Sequence, residues 1–437
     1  MGRTFLHIAL VLTSVISLFA CTKEFENPNP TEDQVLSSTE GIVRTIVGMK
    51  QRFAVNSNFG NGSVFTSRSA NALSSLEVFQ RGGANQDLNQ LSIGKQGLAP
   101  NNQVITELWG NCMLINRITT SILENAPIVI SDTNVRYQVQ RYSLLYKAMA
   151  LGTLAVFWPE FPITTGEKQT FVARKNGLLA AIELLKQAQT IRETSSVYNE
   201  TLGTEINLRQ SINALMARYY TMLGVYEDQY YELARERALQ VLLSSKSVFT
   251  YNQLNPNPIF RNGFNANGGY TPFADLGLPT GLKPAASDLR VSYYRNVSNT
   301  NLPGVNNSDN SPSPLYLPGE MLLIQAEAWA RKGDAASLDS SKKYLDRVLT
   351  KTPAQDAFGI GASLPAYSGP MTQIDLLTEI YKNRCIELYM LGLKLEDSRR
   401  FGRPGPLDPN SERNRTHYPY PFQERNGNPN TPPDPPI

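Results

Sequence analysis

The sequence predicts an all-α protein, in which helical hairpins of the tetratricopeptide kind form a right-handed superhelical scaffold with long irregular loop insertions. Two observations predict this class. Apolar residues recur at steps of three and four along most of the chain, which is the period of an amphipathic helix. Two helical segments also share a spacing of small, aromatic and glycine residues that suits a helical hairpin. Runs that alternate as strands do are few and short.

The clearest helical period lies in the segment 374–395, whose apolar residues are Ile374, Leu377, Tyr381, Cys385, Leu388, Leu391 and Leu395. Successive members are three or four residues apart, so they share one face of a helix. The same period predicts helices at 104–123, 139–157, 177–191, 211–226, 230–243, 320–330 and 335–349. Most of the scaffold is therefore predicted to be helical.

The hairpin signature is a small residue, an aromatic residue three positions later, and a glycine four positions after that. It occurs twice, as Ala217, Tyr220 and Gly224, and as Ala326, Trp329 and Gly333. The small residue lets a neighbouring helix approach, the aromatic ring fills the groove, and the glycine ends the helix. Because an amphipathic segment follows each copy, both are predicted to form helical hairpins.

Composition separates the helical scaffold from three irregular regions. The segments at about 56–101 and 252–318 are rich in Asn and Gly, with Pro and Tyr in the second, and these residues interrupt any long helix. The tail 403–437 holds ten prolines, which predicts an extended strap without regular helix. Long loops in a compact protein are usually functional surface. We therefore predict a single domain over 21–437, with its binding surface in the loops.

Residues 1–20 have the pattern of a bacterial secretory signal, in which Arg3 precedes a short apolar segment. The run 18–21 resembles a lipobox, which predicts that Cys21 becomes the acylated N-terminus of the mature chain. The alternative is a plain signal peptide, with Cys21 as an ordinary residue. No later apolar run approaches the length of about 20 residues that a bilayer crossing requires. In the lipoprotein interpretation, the lipid on Cys21 provides the membrane attachment.

Composition argues against nucleic-acid binding and against a disulfide framework. The chain has 41 Lys and Arg against 38 Asp and Glu, and the leader removes only Arg3 from this balance. A groove for phosphates needs a clustered excess of basic residues. After the leader, Cys112 and Cys385 are the thiols that remain beyond Cys21, and both lie in apolar helical segments. They are predicted to be buried free cysteines.

Motifs in the C-terminal third resemble those of one family. The run 379–388, followed by Gly392 and the run 397–402, resembles the signature helix and exit turn of the SusD/RagB family of outer-membrane lipoproteins. The chain departs from that pattern at Phe401, where the family commonly has tryptophan. Three further runs are similar to the family's Asp-x-Arg turn, its most regular helix and its terminal proline segment, namely 287–290, 322–328 and 420–429. The resemblance covers most of the mature chain.

This resemblance implies a function as well as a fold. It implies a surface lipoprotein that lids a SusC-like TonB-dependent transporter and presents oligosaccharide to it, or peptide in the RagB branch. We therefore expect a lipid-anchored protein on the cell surface of the outer membrane that captures oligosaccharides, with peptide uptake as the alternative. The run 21–26 is similar to the short signals of lysine and acidic residues that send such lipoproteins to the surface. Taken alone, Lys23 and Glu24 also suit an ordinary charged linker.

A binding protein of this kind should lack a catalytic apparatus, and we predict no catalytic residue, no metal site and no cofactor. His417 is the one histidine left after the leader, which nearly excludes a histidine-containing triad or a zinc site of several histidines. A glycoside-acting enzyme stays open as an alternative, because it needs only two carboxylates. Glu320 and Glu327 are the candidate pair, but the helix between them rises by about 10 Å, too far for a retaining pair. A structural role is expected for both.

The candidate ligand-binding residues are aromatic and polar side chains in the two loops. Sugar rings stack on aromatic faces, while Asn and Arg bond the hydroxyl groups. This mixture occurs at Phe79, Arg81 and Asn85 in the first loop, and at Phe264 and Tyr270 in the second. The alternative for each aromatic residue is that it pins its loop to the helical body. The tryptophans are instead predicted to be core residues: Trp109, Trp158 and Trp329.

Overall fold

The computed structural model describes residues 32–55, 63–82, 85–264, 269–295 and 305–437. Within these ranges the chain forms sixteen α-helices and only short strands, so the predicted all-α class is confirmed. The first helices are α1 (Glu32–Leu36), α2 (Thr39–Ala54), α3 (Ser63–Ser74), α4 (Gln86–Ile93), α5 (Gln103–Val129), α6 (Thr133–Phe157), α7 (Arg174–Thr190), α8 (Asn199–Leu202) and α9 (Leu208–Leu223). They are followed by α10 (Gln229–Leu239), α11 (Leu289–Tyr294), α12 (Pro318–Lys332), α13 (Ala335–Leu349), α14 (Gln373–Glu387), α15 (Lys394–Arg400) and α16 (Phe422–Gly427).

The strands of the described ranges form three antiparallel pairs. β1 (Val78–Gln80) pairs with β5 (Tyr270–Pro272), β2 (Glu160–Pro162) with β3 (Phe171–Ala173), and β4 (Val248–Phe249) with β6 (Ser313–Pro314). No pair has more than three residues in a strand, so none forms a layer of its own. Their effect is to fasten irregular segments to each other and to the helices.

Both predicted hairpins are present. Helix α9 packs against α10, and α12 packs against α13, while α5, α6 and α7 pack in sequence in the same way. Gly333 follows α12 with φ of 80°, a left-handed conformation that glycine adopts without strain. Asp334 then caps α13 by accepting a hydrogen bond from the Ser337 backbone N–H at 3.0 Å. The turn chemistry of the sequence therefore sets the second hairpin directly.

The helix predicted at 374–395 is two helices separated by a turn. Helix α14 stops before Met390, and both Met390 and Gly392 have positive φ, of 60° and 78°. The Met390 backbone N–H donates to the buried Glu77 carboxylate at 3.1 Å. This contact lies far away in sequence, so local periodicity cannot reveal it. Ile374, which its spacing assigned to the buried face, is 77% exposed at the start of α14.

The Asp-x-Arg turn and the signature helix meet in a buried ionic network. The guanidinium of Arg290 is fully buried and donates to Asp288 at 2.7 Å, Asn383 at 2.8 Å and Glu387 at 3.1 Å. Glu387 also accepts from Lys351 Nζ at 2.6 Å. These bonds join α11, α14 and the chain that follows α13. Removing one partner would leave another charge buried and unpaired, which is strongly destabilising.

The proline-rich tail lies across the helical body. Tyr418 and Tyr420 are buried, and the indole N–H of Trp158 donates to the Pro419 carbonyl at 3.1 Å. The expectation of no regular helix in the tail was wrong for the six residues of α16. Pro421 stands just before this helix, where no intrahelical N–H is needed, so a proline can initiate the helix it would break further along.

Two of the three tryptophans are core residues, as predicted. Trp109 and Trp158 are buried against each other, with ring centroids 4.9 Å apart. Trp329 is only partly buried, and the expectation for it was wrong. Its ring lies under the cations of Arg235 and Lys332, whose centroid distances are 4.9 and 4.4 Å. The ring therefore packs against long basic side chains at the surface.

The thiols of the described chain are buried and outside any disulfide, as predicted. Cys112 and Cys385 form no disulfide, and burial raises the pKa of Cys385 to about 12, so this thiol is not a nucleophile at neutral pH. Cys21, the predicted acylation site, lies outside the described residues. Across the ranges given above, no helix is both long enough and apolar enough to cross a membrane.

Candidate functional site

The expectation of an irregular segment at 56–101 was wrong for α3 and α4, because its glycines all lie outside these two helices. The β1–β5 ladder joins the stretch between α3 and α4 to the second loop that was predicted to carry function. Phe79 of the first loop stands opposite Thr271 of the second. The Arg81 backbone N–H extends the pairing by donating to the Gly269 carbonyl at 2.7 Å, and Phe273 N–H donates to the Glu77 carbonyl at 3.3 Å. The two loops therefore lie side by side and present one surface.

Phe79 provides an exposed aromatic face on this surface. Successive side chains of a strand point to opposite sides, and in β1 Val78 is buried while Phe79 is 41% exposed. The Phe79 ring packs on Phe273, with centroids 5.1 Å apart and planes tilted by 56°. This contact fixes the ring without covering it. A ring held in this way offers apolar area to a ligand at little cost in side-chain entropy.

Polar residues follow Phe79 in the turn between β1 and α4. Asn85 is exposed and caps α4, with its side-chain oxygen accepting from the Leu88 backbone N–H at 3.1 Å. Gln80 Nε2 donates to the Asn85 carbonyl at 2.8 Å, which ties the end of β1 to the start of α4. Arg81 is partly exposed between them. Amide and guanidinium groups of this kind can hydrogen-bond hydroxyl or carbonyl groups of a ligand.

The other two predicted contact residues are buried. Phe264 and Tyr270 are both fully buried, with their rings in an edge-to-face contact at 5.7 Å. A Cβ at Gly263 would lie 2.4 Å from the Tyr270 ring, so the ring needs glycine there. Burial also raises the pKa of Tyr270 well above its ordinary value. In this structure both rings pin the second loop to the body, and neither presents a face to a ligand.

Phe273 is a candidate contact residue that the sequence analysis missed. It lies just past β5, partly exposed, and its ring packs on Phe79. No signal in the sequence separates it from Tyr270, because both are aromatic residues of the same loop and no strand was predicted there.

Glu77 supports the surface from below. Its carboxylate is buried, its Oε1 accepts from Met390 N–H at 3.1 Å, and its Oε2 has no hydrogen-bond partner. Its backbone carbonyl accepts from the Tyr389 hydroxyl at 3.2 Å. Burial raises the pKa of Glu77 to about 7, although the Lys394 ammonium acts in the opposite direction. The residue just before β1 therefore carries a buried carboxyl group with a pKa near neutrality.

The carboxylate pair considered for catalysis is structural. Glu320 and Glu327 are both fully buried. Arg218 donates to both oxygens of Glu320, at 2.6 and 2.7 Å, and Arg400 donates to Glu327. Each carboxylate is thus neutralised by an arginine inside the helical body. Neither is available to protonate or attack a substrate.

The histidine of the tail has no catalytic environment either. Burial lowers the pKa of His417 to about 2, and the cations of Arg399 and Arg174 act in the same direction. The imidazole is therefore neutral throughout the physiological range. In the part of the chain that the structure describes, no group of three or more His, Cys, Asp and Glu side chains could hold a metal ion.

Comparison with solved structures identifies the fold. A SusD homolog from Bacteroides thetaiotaomicron superposes with a TM-score of 0.69, at 14% identity over 90% of this chain and 97% of that one. A SusD-like carbohydrate binding protein from Bacteroides vulgatus superposes with a TM-score of 0.67, at 15% identity over 90% and 97%. A SusD superfamily protein from Bacteroides fragilis gives 0.66, at 16% identity over 91% and 99%. No protein family and no curated protein matches the sequence. The chain therefore has the fold of the SusD superfamily.

Proposed function

We propose that this protein is a lipid-anchored binding protein of the outer-membrane surface, which captures an oligosaccharide and passes it to a SusC-like TonB-dependent transporter. The observation that carries the proposal is the exposed Phe79 ring, which packs on Phe273 near the polar residues Arg81 and Asn85 where the two loops meet. The SusD-like fold supports it, and one of the similar structures is a carbohydrate binding protein. Cys21 is the proposed site of the lipid.

The chemistry of the surface suits a sugar ring. One face of a pyranose is lined by C–H groups and packs on an aromatic ring, while its hydroxyl groups need donors and acceptors at the rim. Phe79 and Phe273 supply the apolar platform, and Asn85 and Arg81 supply the polar rim. The Phe79 ring is 41% exposed, so the platform is open to a ligand that arrives from solvent.

A ligand screen of the mature protein tests the proposal. Neutral oligosaccharides and peptides of similar size are titrated side by side by calorimetry, and the oligosaccharides are recovered afterwards for analysis. We expect an oligosaccharide to bind and to be recovered intact. Preferential binding of peptides would favour the peptide-uptake alternative, and cleavage of the recovered glycan would favour the enzyme alternative. Binding of neither class would contradict the proposal.

A further inference from the structure

A second candidate site is a polar cleft between the helices of the scaffold. It lies among α6, α9, the end of α10 and the end of α7, none of which contributes to the β1–β5 surface. Its volume is 510 Å³, inside the range of about 300 to 1,000 Å³ that is typical of small-molecule sites. Its lining is rich in arginine and amide side chains, chiefly Arg141, Arg192, Arg209, Gln189 and Asn213.

Arg141 is the unusual member of this lining. It is 5% exposed, yet its Nε has no hydrogen-bond partner. Its one ion pair within the described chain is a distant contact of 3.9 Å between Nη1 and the Glu193 carboxylate. The buried guanidinium of Arg290, by contrast, bonds the carboxylates of Asp288 and Glu387 at 2.7 and 3.1 Å. Arg141 therefore carries a buried charge that the protein itself satisfies poorly.

Glu193 is the carboxylate in the lining of the cleft. Its side chain is 49% exposed at the mouth of the cleft and accepts from Arg209 Nε and Nη2 at 2.9 and 2.7 Å. This carboxylate stands near Arg141 but does not reach hydrogen-bonding distance of it. Arg192 adds a third cation to the lining, so three arginines oppose one carboxylate. The cleft keeps a positive excess after its internal pairing.

The amide groups of the lining add a preference for a hydroxylated ligand. Gln189 Nε2 lies 3.4 Å from Asn213 Oδ1, a long and therefore weak hydrogen bond. Asn213 Nδ2 also makes a long bond, of 3.3 Å, to the Arg209 carbonyl. Such groups can exchange a weak internal bond for one to a ligand hydroxyl. An anion with several hydroxyl groups fits this combination better than a bare anion.

We propose that this cleft binds an acidic sugar, with the carboxylate of a hexuronate paired to Arg141 and its hydroxyl groups facing Gln189 and Asn213. Guanidinium–carboxylate pairs are among the stronger hydrogen-bonded contacts in proteins. This site goes beyond the proposed function, because it shares no residue with the Phe79 surface. Its test can fail or succeed whatever that surface binds.

The test titrates glucuronate and galacturonate into the full mature chain by calorimetry, with glucose as the uncharged match. We expect the hexuronates to bind at millimolar concentration and glucose not to bind. Arg141→Gln should weaken hexuronate binding by about tenfold or more, as expected for loss of a charged hydrogen bond. Glu193→Gln should instead strengthen it, because it removes the internal carboxylate that competes for the arginines. Lys186→Gln, which removes a surface cation from the same helix α7, is the matched control and should change nothing.

Two variants keep the test decisive if Arg141→Gln fails to fold. Arg209 is 67% exposed on its side chain, so Arg209→Gln should fold and still weaken binding. The opposite effects of Arg209→Gln and Glu193→Gln are the signature of an anion site, since a purely structural pair would respond in the same direction to either change. Absence of hexuronate binding, equal affinity in all variants, or sulfate binding as tightly as hexuronate would overturn the proposal.

Discussion

Glu77, which lies beneath the candidate surface, makes the stability of the folded protein depend on pH. The carboxyl is buried at the base of β1, where its pKa is about 7 against an ordinary value of 4.5. Well below pH 4.5 it is protonated in both the folded and the unfolded chain, so the unfolding free energy does not change with pH through this group. Between the two pKa values, Glu77 is ionised in the unfolded chain but still protonated in the folded chain, so the folded state becomes less stable as pH rises. Above about pH 7 the loss is constant.

We therefore predict that Glu77→Gln gains stability relative to wild type as pH rises. The difference in unfolding free energy between the two proteins should increase from about pH 4.5 to about pH 7, by an amount on the order of 3 kcal/mol. Glutamine keeps an oxygen that can accept from Met390 N–H, so the bond that holds the turn need not be lost. Urea unfolding at several pH values measures the difference. A difference that stays constant with pH would show that Glu77 does not titrate in this window.

Cys21 gives a prediction for the attachment to the membrane. Its position after the apolar segment makes it the predicted acylation site. Cys21→Ala removes the thiol that would be acylated and should move the protein from the membrane fraction to the soluble fraction. Cys112→Ala is a suitable control, because that thiol is buried in the body and should leave the distribution unchanged. Wild-type fractionation of Cys21→Ala would contradict the lipoprotein assignment.

At the scale of elements, the Arg290 network should be a main support of the C-terminal helices. Arg290→Met leaves the carboxylates of Asp288 and Glu387 short of a buried partner. We predict a loss of about 3 to 5 kcal/mol in unfolding free energy. The control is Arg44→Met, because Arg44 is 76% exposed on its side chain in an ion pair with Glu40, and it should change stability by less than about 0.5 kcal/mol. Equal effects of the two substitutions would contradict a structural role for the network.

Helices could be predicted from the sequence wherever local chemistry decides them. The segment 335–349 has the bounds of α13, because Gly333 ends the preceding helix and Asp334 caps the next one. The segment 374–395 could not be predicted as two helices, since the turn at Met390 depends on a bond to Glu77. Periodicity reports which residues can share a face. It does not report a distant partner that interrupts the helix.

The candidate surface could be predicted only in part, again because contacts between distant segments decide which side chains are exposed. Composition marked both loops, and Phe79 is exposed in the structure. Composition could not separate Phe79 from Tyr270, because an aromatic residue in a polar loop can either face solvent or pin the loop. The choice is made by strand pairing, which orients Val78 inwards and Phe79 outwards, and by Gly263, which makes room for the Tyr270 ring. Pairing between segments so far apart leaves no local pattern.

At the scale of the whole molecule, a few contacts fasten the described irregular segments to the helical body and to each other. The tail is anchored by Tyr418, whose hydroxyl contacts Ser74 at the end of α3, and by the bond from Trp158 to Pro419. The two loops are fastened to each other by β1 and β5. A rigid scaffold that positions loops is a common basis for binding. Arginine pairs also hold the buried carboxylates of Glu320 and Glu327 inside the helical body.

The measurement that tests the central claim most directly is the affinity of Phe79→Ala for the oligosaccharide that binds wild type best. We predict a loss of about 1 to 3 kcal/mol, as truncation of an anchoring aromatic residue often causes, with an unchanged thermal midpoint. Phe422→Ala is the matched control, because Phe422 is 54% exposed on α16 and outside the candidate surface, and it should bind as wild type does. Wild-type affinity in Phe79→Ala, or an equal loss in both variants, would contradict the claim that the joined loops form the ligand-binding surface.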